Sequence, residues 1–458
     1  MFPDRLRQSR IGILGFGVNN RELARWLVRH GVSKLTVYDE NPAVTDALKR
    51  LGLTSIRVVA GPGAFKKVEA DVAFRSPGIP RHRPEFQAAL KRGVEISSQT
   101  DLFLEFCPAQ VIGVTGTKGK GTTSSLIAHL LAQEKKSGAL HLAGNIGQDP
   151  FEFLDALTAQ DRVVLELSSF QLIDLKHSPS VAVVLAVSSD HLDHHSTREE
   201  YVGAKQNIVK YQKSDDLVVL NLDNATALAF GAATRARAYY YSIRKSVDVG
   251  AFYSKETIYW RQLGQEIPQV VAHSEDVSLI GEHNRLNVVA ALTTVLALGY
   301  SQDKIASALR SFPGLSHRLE LVAEDQGVRW YNDSYATIPE ATIVALNSFQ
   351  APIHLIVGGS NKGAEWHELG EAIAHSQVKQ LLSIGETGPK IADAALEAGY
   401  DKARIFDAIT LEAALRQARS QAKFGDVVLL SPASASFDQF KNASQRGEIF
   451  KSLVRGQI

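Results

Sequence analysis

The segment that most constrains the fold of this chain is an apolar run that breaks into a glycine-rich turn and continues as a helix. Residues 111–125 read VIGVTGTKGKGTTSS, and the helix-prone sequence LIAHLLAQ follows. Glycine lets the backbone bend so that successive N–H groups point at an anion, and the N-terminal end of the helix adds partial positive charge. We therefore predict a strand, a phosphate-binding loop and a helix of an α/β domain, with Lys120 reaching the outermost phosphates.

The loop departs from the usual phosphate-loop spacing at two positions. Val114 stands where a glycine is usual, six residues before Lys120, and Gly121 stands where a serine or threonine normally contacts magnesium. Thr122 and Thr123 are the nearest hydroxyl groups that can replace it. The structural alternative is an ordinary glycine-rich connection between a strand and a helix.

Length and composition predict a multidomain protein that binds neither a nucleic acid nor a membrane surface. At about 150 residues per domain, 458 residues favour three domains, and 45% hydrophobic with 22% charged residues is typical of soluble globular proteins. The net charge of +1, with both signs interspersed, supports neither a nucleic-acid nor a membrane-surface partner. No apolar stretch approaches the roughly 18 residues of a membrane span, and one cysteine, Cys107, suits a reducing compartment. We expect a cytoplasmic monomer without membrane insertion, in which Cys107 is a small core residue.

The first hundred residues alternate strand-like and helix-like segments, as in a small parallel α/β unit. IGILGF, KLTVYD and ADVAFRS have strand patterns, while NRELARWLVRHG and PEFQAALKRG have helical spacing. The first strand ends in Gly15-Phe16-Gly17, a truncated dinucleotide-type turn, and Asp39 closes the second strand where a ribose-binding acid often lies. A bound nucleotide diphosphate and a purely structural turn both remain open, and a redox cofactor is the poorer interpretation.

Two further α/β units follow a linker-like region at 94–107. Apolar strands at VIGVTG, DRVVLEL, VAVVLAVS and LVVLNLD predict the second unit, and APIHLIVGG, QLLSIGE and DVVLLSP predict the third. The predicted fold class is three consecutive α/β domains.

Polar residues follow several of these strands, at the edge of a parallel sheet where ligands bind. Glu166, Ser168 and Gln171 follow DRVVLEL, and the cluster DHLDHH at 190–195 follows VAVVLAVS. Carboxylates there can hold magnesium, although a solvated polar loop is the alternative. From spacing alone Lys205 is an ordinary solvated helix lysine.

Polar groups also mark a later helix and the third unit. Asn284 and Asn287 lie three apart and so share a helix face, with helix capping as the alternative role of Asn284. In the third unit, Arg318, Lys362 and the hydroxyl-rich loop 431–440 suit an anionic substrate.

These residues together resemble the Mur ligases of peptidoglycan synthesis, and among them the glutamate-adding MurD group, over essentially the whole length. The resemblance rests on TGTKGK (115–120), GNIG (144–147), LELSSFQL (165–172), DHLDHH (190–195), GEHNRLN (281–287), HRLE (317–320), NDS (332–334) and SPASASFDQFKNASQRG (431–447). It implies an ATP-dependent amide ligase that joins glutamate to UDP-N-acetylmuramoyl-L-alanine through an acyl phosphate, with ATP and Mg²⁺ as cofactors. It also implies a Rossmann-like UDP-substrate domain at 1–97, an ATP domain of phosphate-loop type at 98–314, and a Rossmann-like amino-acid domain at 315–458.

The resemblance assigns five sets of site residues. ATP would be bound by Thr115, Gly116, Thr117, Lys118, Gly119, Lys120, Gly121, Thr122, Asn284, Asn287, Arg318 and Asp333. The UDP substrate would be bound by Val18, Asn19, Asp39, Ser76, Gly78, Asn145, Ser168 and Gln171. The amino acid would be bound by Tyr335, Thr337, Lys362, Ser436 and Phe437. The metal would be held by Glu166, His191, Thr122 and Lys205 as a carbamate, and the catalytic residues would be Lys120, His191 and Lys205.

The chain departs from the group in the expected amino-acid pocket. NDS is followed by Tyr335-Ala336-Thr337-Ile338 in place of the usual lysine and Ala-Thr-Asn, and Ala443 replaces an aromatic residue. These changes favour L-glutamate over D-glutamate, the substrate of the standard enzyme. Gly121 leaves open a catalytically silent nucleotide-binding homologue. A ligase that resembles folylpolyglutamate synthetase is also open, although it would need no UDP-binding domain.

Overall fold

The computed structural model of the chain describes residues 4–134, 137–188 and 195–456. They form two compact units, one made of Met1–Ser274 with Leu286–Ala308 and the other of Glu275–Arg285 with Leu309–Ile458. Three largely parallel sheets flanked by helices confirm the predicted α/β class. Within the described ranges no helix is long and apolar enough to cross a membrane.

The first sheet contains five parallel strands in the order β3-β2-β1-β4-β5. Its strands are β1 Ile11–Leu14, β2 Leu35–Asp39, β3 Arg57–Ala60, β4 Val72–Arg75 and β5 Glu95–Ser97. Strand β1 is buried along its length because helices cover both faces of the sheet. The strand order reverses between β1 and β4, and the glycine turn after β1 lies at this switch point.

The second sheet contains nine strands in the order β14-β13-β12-β11-β10-β9-β6-β8-β7. They are β6 Gln110–Thr115, β7 Leu140–Gly144, β8 Arg162–Glu166, β9 Val181–Val184, β10 Leu217–Asn221, β11 Arg237–Ser242, β12 Gly250–Ser254, β13 Thr257–Arg261 and β14 Gln269–His273. Strand β6 lies between β8 and β9, so the loop that follows it lies at a second switch point. The antiparallel edge formed by β12 to β14 was not predicted from the sequence.

The third sheet lies in the second unit and has the order β15-β16-β20-β17-β18-β19. Its strands are β15 Glu320–Asp325, β16 Val328–Asn332, β17 Ile353–Val357, β18 Val378–Ile384, β19 Ile405–Ile409 and β20 Val427–Leu430. Only the hairpin of β15 and β16 is antiparallel among these strands. The sequence therefore predicted the parallel strands β17, β18 and β20 correctly.

Helices connect the strands of all three sheets. In chain order they are α1 Asp4–Gln8, α2 Val18–Arg29, α3 Val44–Arg50, α4 Pro84–Lys91, α5 Gln99–Phe106, α6 Lys120–Ala132, α7 Ser169–Leu172, α8 Arg198–Lys210, α9 Ala225–Ala229, α10 Glu282–Ala297, α11 Ile305–Ser311, α12 Pro339–Leu346, α13 His367–His375, α14 Gly388–Glu397, α15 Leu411–Gln421 and α16 Ala443–Val454.

The predicted linker at 94–107 is wrong, because this segment is folded into the first unit. It contains β5 and α5, whose N-terminus is capped by the Ser98 side chain accepting a hydrogen bond from Asp101 N–H. Leu102 and Phe103 are buried in the apolar core of the unit. Because the segment carries both a cap and core side chains, it is a structural connection between the first two sheets.

Candidate active site

The glycine turn after β1 packs against the loop that follows β4. Gly15 has φ +81°, and a Cβ there would lie 2.4 Å from Ile79 Cδ1. A Cβ at Gly17 would lie 3.2 Å from Ser76 Oγ. The turn therefore needs glycine both for its left-handed backbone and for this close approach.

The first-sheet residues assigned to the UDP substrate lie at one edge of that sheet. Val18 and Asn19 begin α2, Asp39 ends β2, and the loop carrying Ser76 and Gly78 follows β4. The Asp39 carboxylate accepts hydrogen bonds from the N–H groups of Phe16 (2.7 Å) and Asn41 (2.8 Å). Asp39 thus holds the glycine turn in place from the neighbouring strand.

The second-sheet residues assigned to the same substrate have structural contacts of their own. Ser168 Oγ accepts from Gln171 N–H (3.3 Å), and Gln171 Oε1 accepts from Ser168 N–H (3.0 Å). This capping box opens α7. Asn145 is exposed at the end of β7, where its N–H donates to Glu166 O at 3.2 Å.

The predicted phosphate loop forms at the carboxyl end of β6. Gly119 has φ +86°, and a Cβ there would lie 2.3 Å from Asn287 Oδ1, so α10 approaches the loop backbone directly. Thr115 Oγ1 donates to Leu167 O at 2.9 Å, and Thr117 N–H donates to Ala186 O at 2.8 Å. Hydrogen bonds to the residues that follow β8 and β9 therefore hold the loop from both sides. Lys118 is exposed, whereas Gly121 and Thr122 lie half-buried in the first turn of α6.

Two lysine side chains meet at the carbonyl of Gly116. Lys120 Nζ donates to Gly116 O at 3.1 Å and to Thr117 O at 3.0 Å. Lys205, on α8 and 1% exposed, donates from Nζ to the same Gly116 O at 2.8 Å. The expectation of a solvated Lys205, drawn from spacing alone, is therefore wrong, because tertiary packing turns this helix face toward the loop. Tyr201, on the same helix, places its hydroxyl 3.0 Å from Thr117 Oγ1.

The residues assigned to a metal are described in part. Glu166 is buried at the end of β8, where it pairs in register with Val114, the residue before the loop. Lys205 lies at the loop, as does Thr122 in α6. His191 and most of the DHLDHH cluster lie outside the described residues. In the part of the chain that the structure describes, no three His, Cys, Asp or Glu side chains form a metal-binding group.

In the second unit, Asp333 is a buried acid in the loop after β16. Its Oδ2 accepts from Ser431 Oγ at 2.8 Å and its Oδ1 from Leu319 N–H at 3.2 Å. Burial raises the pKa of the Asp333 carboxyl to about 7, against the lowering effect of these bonds. The exposed Arg318 lies over the ring of Tyr335, with Cζ 5.6 Å from the centroid. Asn284 is buried and its Nδ2 donates to Ile280 O at 2.7 Å.

The amino-acid set occupies two loops of the third sheet. Tyr335 and Thr337 lie after β16, whereas Ser436 and Phe437 lie after β20. Lys362 joins the second group, since its Nζ lies 5.2 Å from the Phe437 ring centroid. Ser436 Oγ is buried without a hydrogen-bond partner in the described structure.

Sequence reasoning missed the residue that connects these two loops. Arg446, on α16 and 0% exposed, donates to Ser334 Oγ (3.0 Å), Ser334 O (2.8 Å), Ser434 O (3.0 Å) and Ala435 O (3.2 Å). Burial lowers the pKa of its guanidinium to about 10. Its only sequence signal was a position inside the long motif at 431–447, because a helix arginine is usually exposed.

Two family models match most of the chain outside the first sheet. The Mur ligase middle domain matches residues 114–295, and the Mur ligase glutamate ligase domain matches residues 317–434. Curated relatives match along the whole length. The UDP-N-acetylmuramoylalanine–D-glutamate ligase of Symbiobacterium thermophilum is 40% identical over 454 residues, covering 98% of each chain. The ligase of the same name from Acetivibrio thermocellus is 37% identical, covering 99% of this chain and 97% of its own.

Solved structures share the fold at lower identity. A UDP-N-acetylmuramate–alanine ligase from Thermotoga maritima aligns with a TM-score of 0.57 at 18% identity, covering 98% of this chain and 100% of its own. A MurF ligase from the same organism, solved with ADP, aligns with a TM-score of 0.57 at 21% identity, covering 90% and 92%. The three-sheet architecture is therefore that of these ligases.

Proposed function

Because this chain belongs to the Mur ligase family, we propose that it is an ATP-dependent ligase joining glutamate to UDP-N-acetylmuramoyl-L-alanine. The observation that carries the proposal is the meeting of Lys120 and Lys205 on the Gly116 carbonyl, next to Glu166 at the switch point of the second sheet. A phosphate loop alone suits many nucleotide enzymes. A buried lysine brought onto this loop from α8 is more specific, because the resemblance assigns this position to a carbamate that binds a metal ion.

The chemistry follows from the poor leaving ability of a carboxylate oxygen. A carboxylate oxygen of the alanine attacks the γ-phosphorus of ATP, the bond to ADP breaks, and an acyl phosphate forms. The glutamate nitrogen then attacks the acyl carbon, and collapse of the tetrahedral intermediate expels inorganic phosphate while the nitrogen loses a proton to solvent. Two like charges about 4 Å apart repel by about 4 kcal/mol at an effective dielectric of 20, so the first step needs positive charge at the phosphates.

The loop supplies that positive charge. Lys120 begins α6, so the N-terminus of this helix lies at the loop and adds partial positive charge there. Its bonds to Gly116 O and Thr117 O hold the ammonium over the loop. We assign Lys120 to the terminal phosphates of ATP, with the rest of the loop 115–122 and Asn287 around the nucleotide.

We propose that Lys205 acts as a carbamate. The family motif assigns a carbamate to this position, and Lys205 lies buried at the phosphate loop with its Nζ 2.8 Å from Gly116 O. Reaction of the neutral amine with carbon dioxide forms an N–C bond and releases a proton, which turns the lysine side chain into an anion that can bind a metal ion.

The same set of residues suits Mg²⁺. Glu166 is a buried carboxylate beside the loop, and one or two carboxylates with phosphate oxygens are what this ion requires. Glu166, Thr122, His191 and the Lys205 carbamate would hold it, and when bound it would neutralise phosphate charge.

The two other substrates fit the remaining groups. The glycine turn, Asp39 and the loop 76–79 lie together at a switch point, which supports binding of the uridine diphosphate there. The unpartnered Ser436 hydroxyl next to Phe437 and Lys362 supports binding of the glutamate carboxylate. We propose that Arg318 and Asp333 bind ATP, because they lie in the family motifs HRLE (317–320) and NDS (332–334).

For the enantiomer, the names of the full-length relatives favour D-glutamate, and we propose it as the substrate. L-glutamate is the second candidate, favoured by Tyr335, Ile338 and Ala443, where the group carries lysine, asparagine and an aromatic residue. Tyr335 lies under Arg318 in the loop after β16, so the pocket wall here is aromatic where a lysine is usual.

We also propose three functional domains at 1–97, 98–314 and 315–458. One sheet falls within each range, which supports the division. A single cysteine supports a cytoplasmic location.

The test is an activity assay that contains all three substrates and compares the two enantiomers of glutamate. The purified chain is incubated with ATP, Mg²⁺, UDP-N-acetylmuramoyl-L-alanine and either D- or L-glutamate, and ADP and the UDP-linked product are measured. We expect equal amounts of both products with D-glutamate. A clear preference for L-glutamate would support the second candidate, and absence of ADP release with either enantiomer would support a silent homologue.

A further inference from the structure

A buried ion pair joins the first two sheets at the edge where the UDP substrate is proposed to bind. Arg75, the last residue of β4, is 2% exposed, and its Nε donates to Asp174 Oδ2 at 2.8 Å. Its Nη2 lies 2.6 Å from the same oxygen. Asp174 follows α7, which connects strands β8 and β9 of the second sheet, so one contact couples the two sheets.

Arg75 also holds the loop that follows it. Its Nη1 donates to the carbonyl oxygens of Ser76 (3.1 Å), Pro77 (3.4 Å) and Ile79. Its Nη2 donates to Phe170 O in α7 at 3.2 Å. One guanidinium therefore closes the loop 76–79 upon itself and fastens it to α7.

Arg81 adds a second anchor at the far end of this loop. Its Nε lies 3.0 Å from Asp174 Oδ1, so both carboxylate oxygens face an arginine. A cavity adjoins this junction, with Pro77 and Ile79 on one wall and Phe170 and His195 on the other. The position of the loop therefore sets the width of this cavity.

Stability alone does not require such a pair. Taking two charges out of water is costly, and a well-packed apolar pair of similar volume is often no less stable. What an apolar pair cannot do is direct three loop carbonyls and one helix carbonyl to a single point. The loop so fixed is the one whose Ser76 and Ile79 pack against Gly17 and Gly15.

We propose that Arg75 and Asp174 are positioning residues for the UDP-linked substrate. They hold the loop 76–79 between the glycine turn and α7, and so set the affinity for that substrate without acting on ATP or glutamate. The inference rests on the proposed function, because the substrate is the one assigned there.

The test replaces the pair by apolar residues of similar size, Arg75→Met with Asp174→Leu. The matched control is Arg10→Gln with Asp71→Asn, an exposed arginine–aspartate pair at the opposite end of β4. We expect the apolar variant to unfold within a few degrees of the wild type. Its KM for UDP-N-acetylmuramoyl-L-alanine should rise by about tenfold or more, while the KM values for ATP and glutamate and the control's three KM values change less than about twofold.

The outcomes separate positioning from a merely structural role. A stable apolar variant with the wild-type KM for the UDP substrate, or an equal rise in all three KM values, would overturn the inference. If that variant does not fold, Arg75→Lys and Asp174→Asn are titrated calorimetrically with the UDP substrate. Weakened binding to both supports the inference and unchanged binding overturns it. A wild type that binds the UDP substrate but releases no ADP would instead contradict the proposed ligase activity.

Discussion

At the scale of single residues, the Gly116 carbonyl is the point on which the proposed chemistry depends. It accepts hydrogen bonds from two lysine side chains, one on the loop helix and one on α8. This contact places Lys205, which we propose to be a carbamate, directly at the phosphate loop. The loop and the lysine are 89 residues apart in the chain, and no sequence spacing relates them.

A carbamate on Lys205 makes activity depend on dissolved carbon dioxide. We expect turnover to fall in buffer freed of carbon dioxide, to recover on adding bicarbonate, and to be lost in Lys205→Ala. Labelling with ¹³C-bicarbonate should give a carbamate carbonyl resonance that Lys205→Ala lacks. Lys210→Ala, at the exposed end of the same helix, is the control, and a resonance of equal intensity in Lys205→Ala would contradict the assignment.

Lys120 and Gly121 are expected to respond in opposite directions. Lys120→Ala should reduce kcat by about a hundredfold or more, the usual loss for one electrostatic stabiliser. Gly121→Ser should preserve or raise kcat, because it restores a hydroxyl in the first turn of α6 and removes a helical glycine. Steady-state kinetics on both variants checks this, and a wild-type rate in Lys120→Ala would refute the role of the loop.

Asp333 predicts a pH dependence of stability. The pKa of its carboxyl is about 7 in the folded chain and about 4 in the unfolded chain. The protonated carboxyl therefore contributes fully to the free energy of unfolding below pH 4, and this contribution is lost as the pH rises through 7. Relative to Asp333→Asn, the wild type should lose roughly 2–4 kcal/mol of unfolding free energy between pH 4 and 8. Denaturant unfolding at several pH values measures this, with the exposed Asp325→Asn as control. If the free energy of unfolding changed with pH in the same way for the wild type and Asp333→Asn, the carboxyl would be ionised throughout, which would contradict the prediction.

At the scale of elements, α16 organises the two loops assigned to the amino acid. Its Arg446 bonds to the backbone of both loops, and in the described residues it has no carboxylate within ion-pair distance. The adjacent Ser436 hydroxyl is unpartnered. A buried positive charge beside a hydroxyl without a hydrogen-bond partner favours an anionic ligand.

Arg446→Lys should therefore weaken glutamate binding selectively. An ammonium cannot reach all four acceptors of the guanidinium, so the two loops lose their common anchor. We expect the KM for glutamate to rise by about tenfold and the KM for the UDP substrate to stay within about twofold. Arg455→Lys, at the exposed end of α16, is the control. Equal KM changes for both substrates would indicate a general structural defect.

At the scale of the whole molecule, local patterns predicted much of the fold and chemistry. Apolar runs located the more apolar strands of the three sheets, and glycine spacing located the turn after β1 and the loop after β6. These strands are β1, β2, β4, β6, β8, β9, β10, β17, β18 and β20. The sequence did not predict the antiparallel edge formed by β12 to β14, and it predicted a linker at 94–107, where the chain forms β5 and α5. Short strands and helix caps leave only weak signals in a sequence. The pair of Arg75 and Asp174, 99 residues apart, and the burial of Arg446 depend on tertiary packing that local patterns do not contain.

The most direct test of the central claim is the coupling of ADP release to product formation with all three substrates present. We predict one ADP per UDP-N-acetylmuramoyl dipeptide, and none when either the UDP substrate or glutamate is omitted. ADP release that ignores the UDP substrate, or that occurs with a folate acceptor in its place, would contradict it.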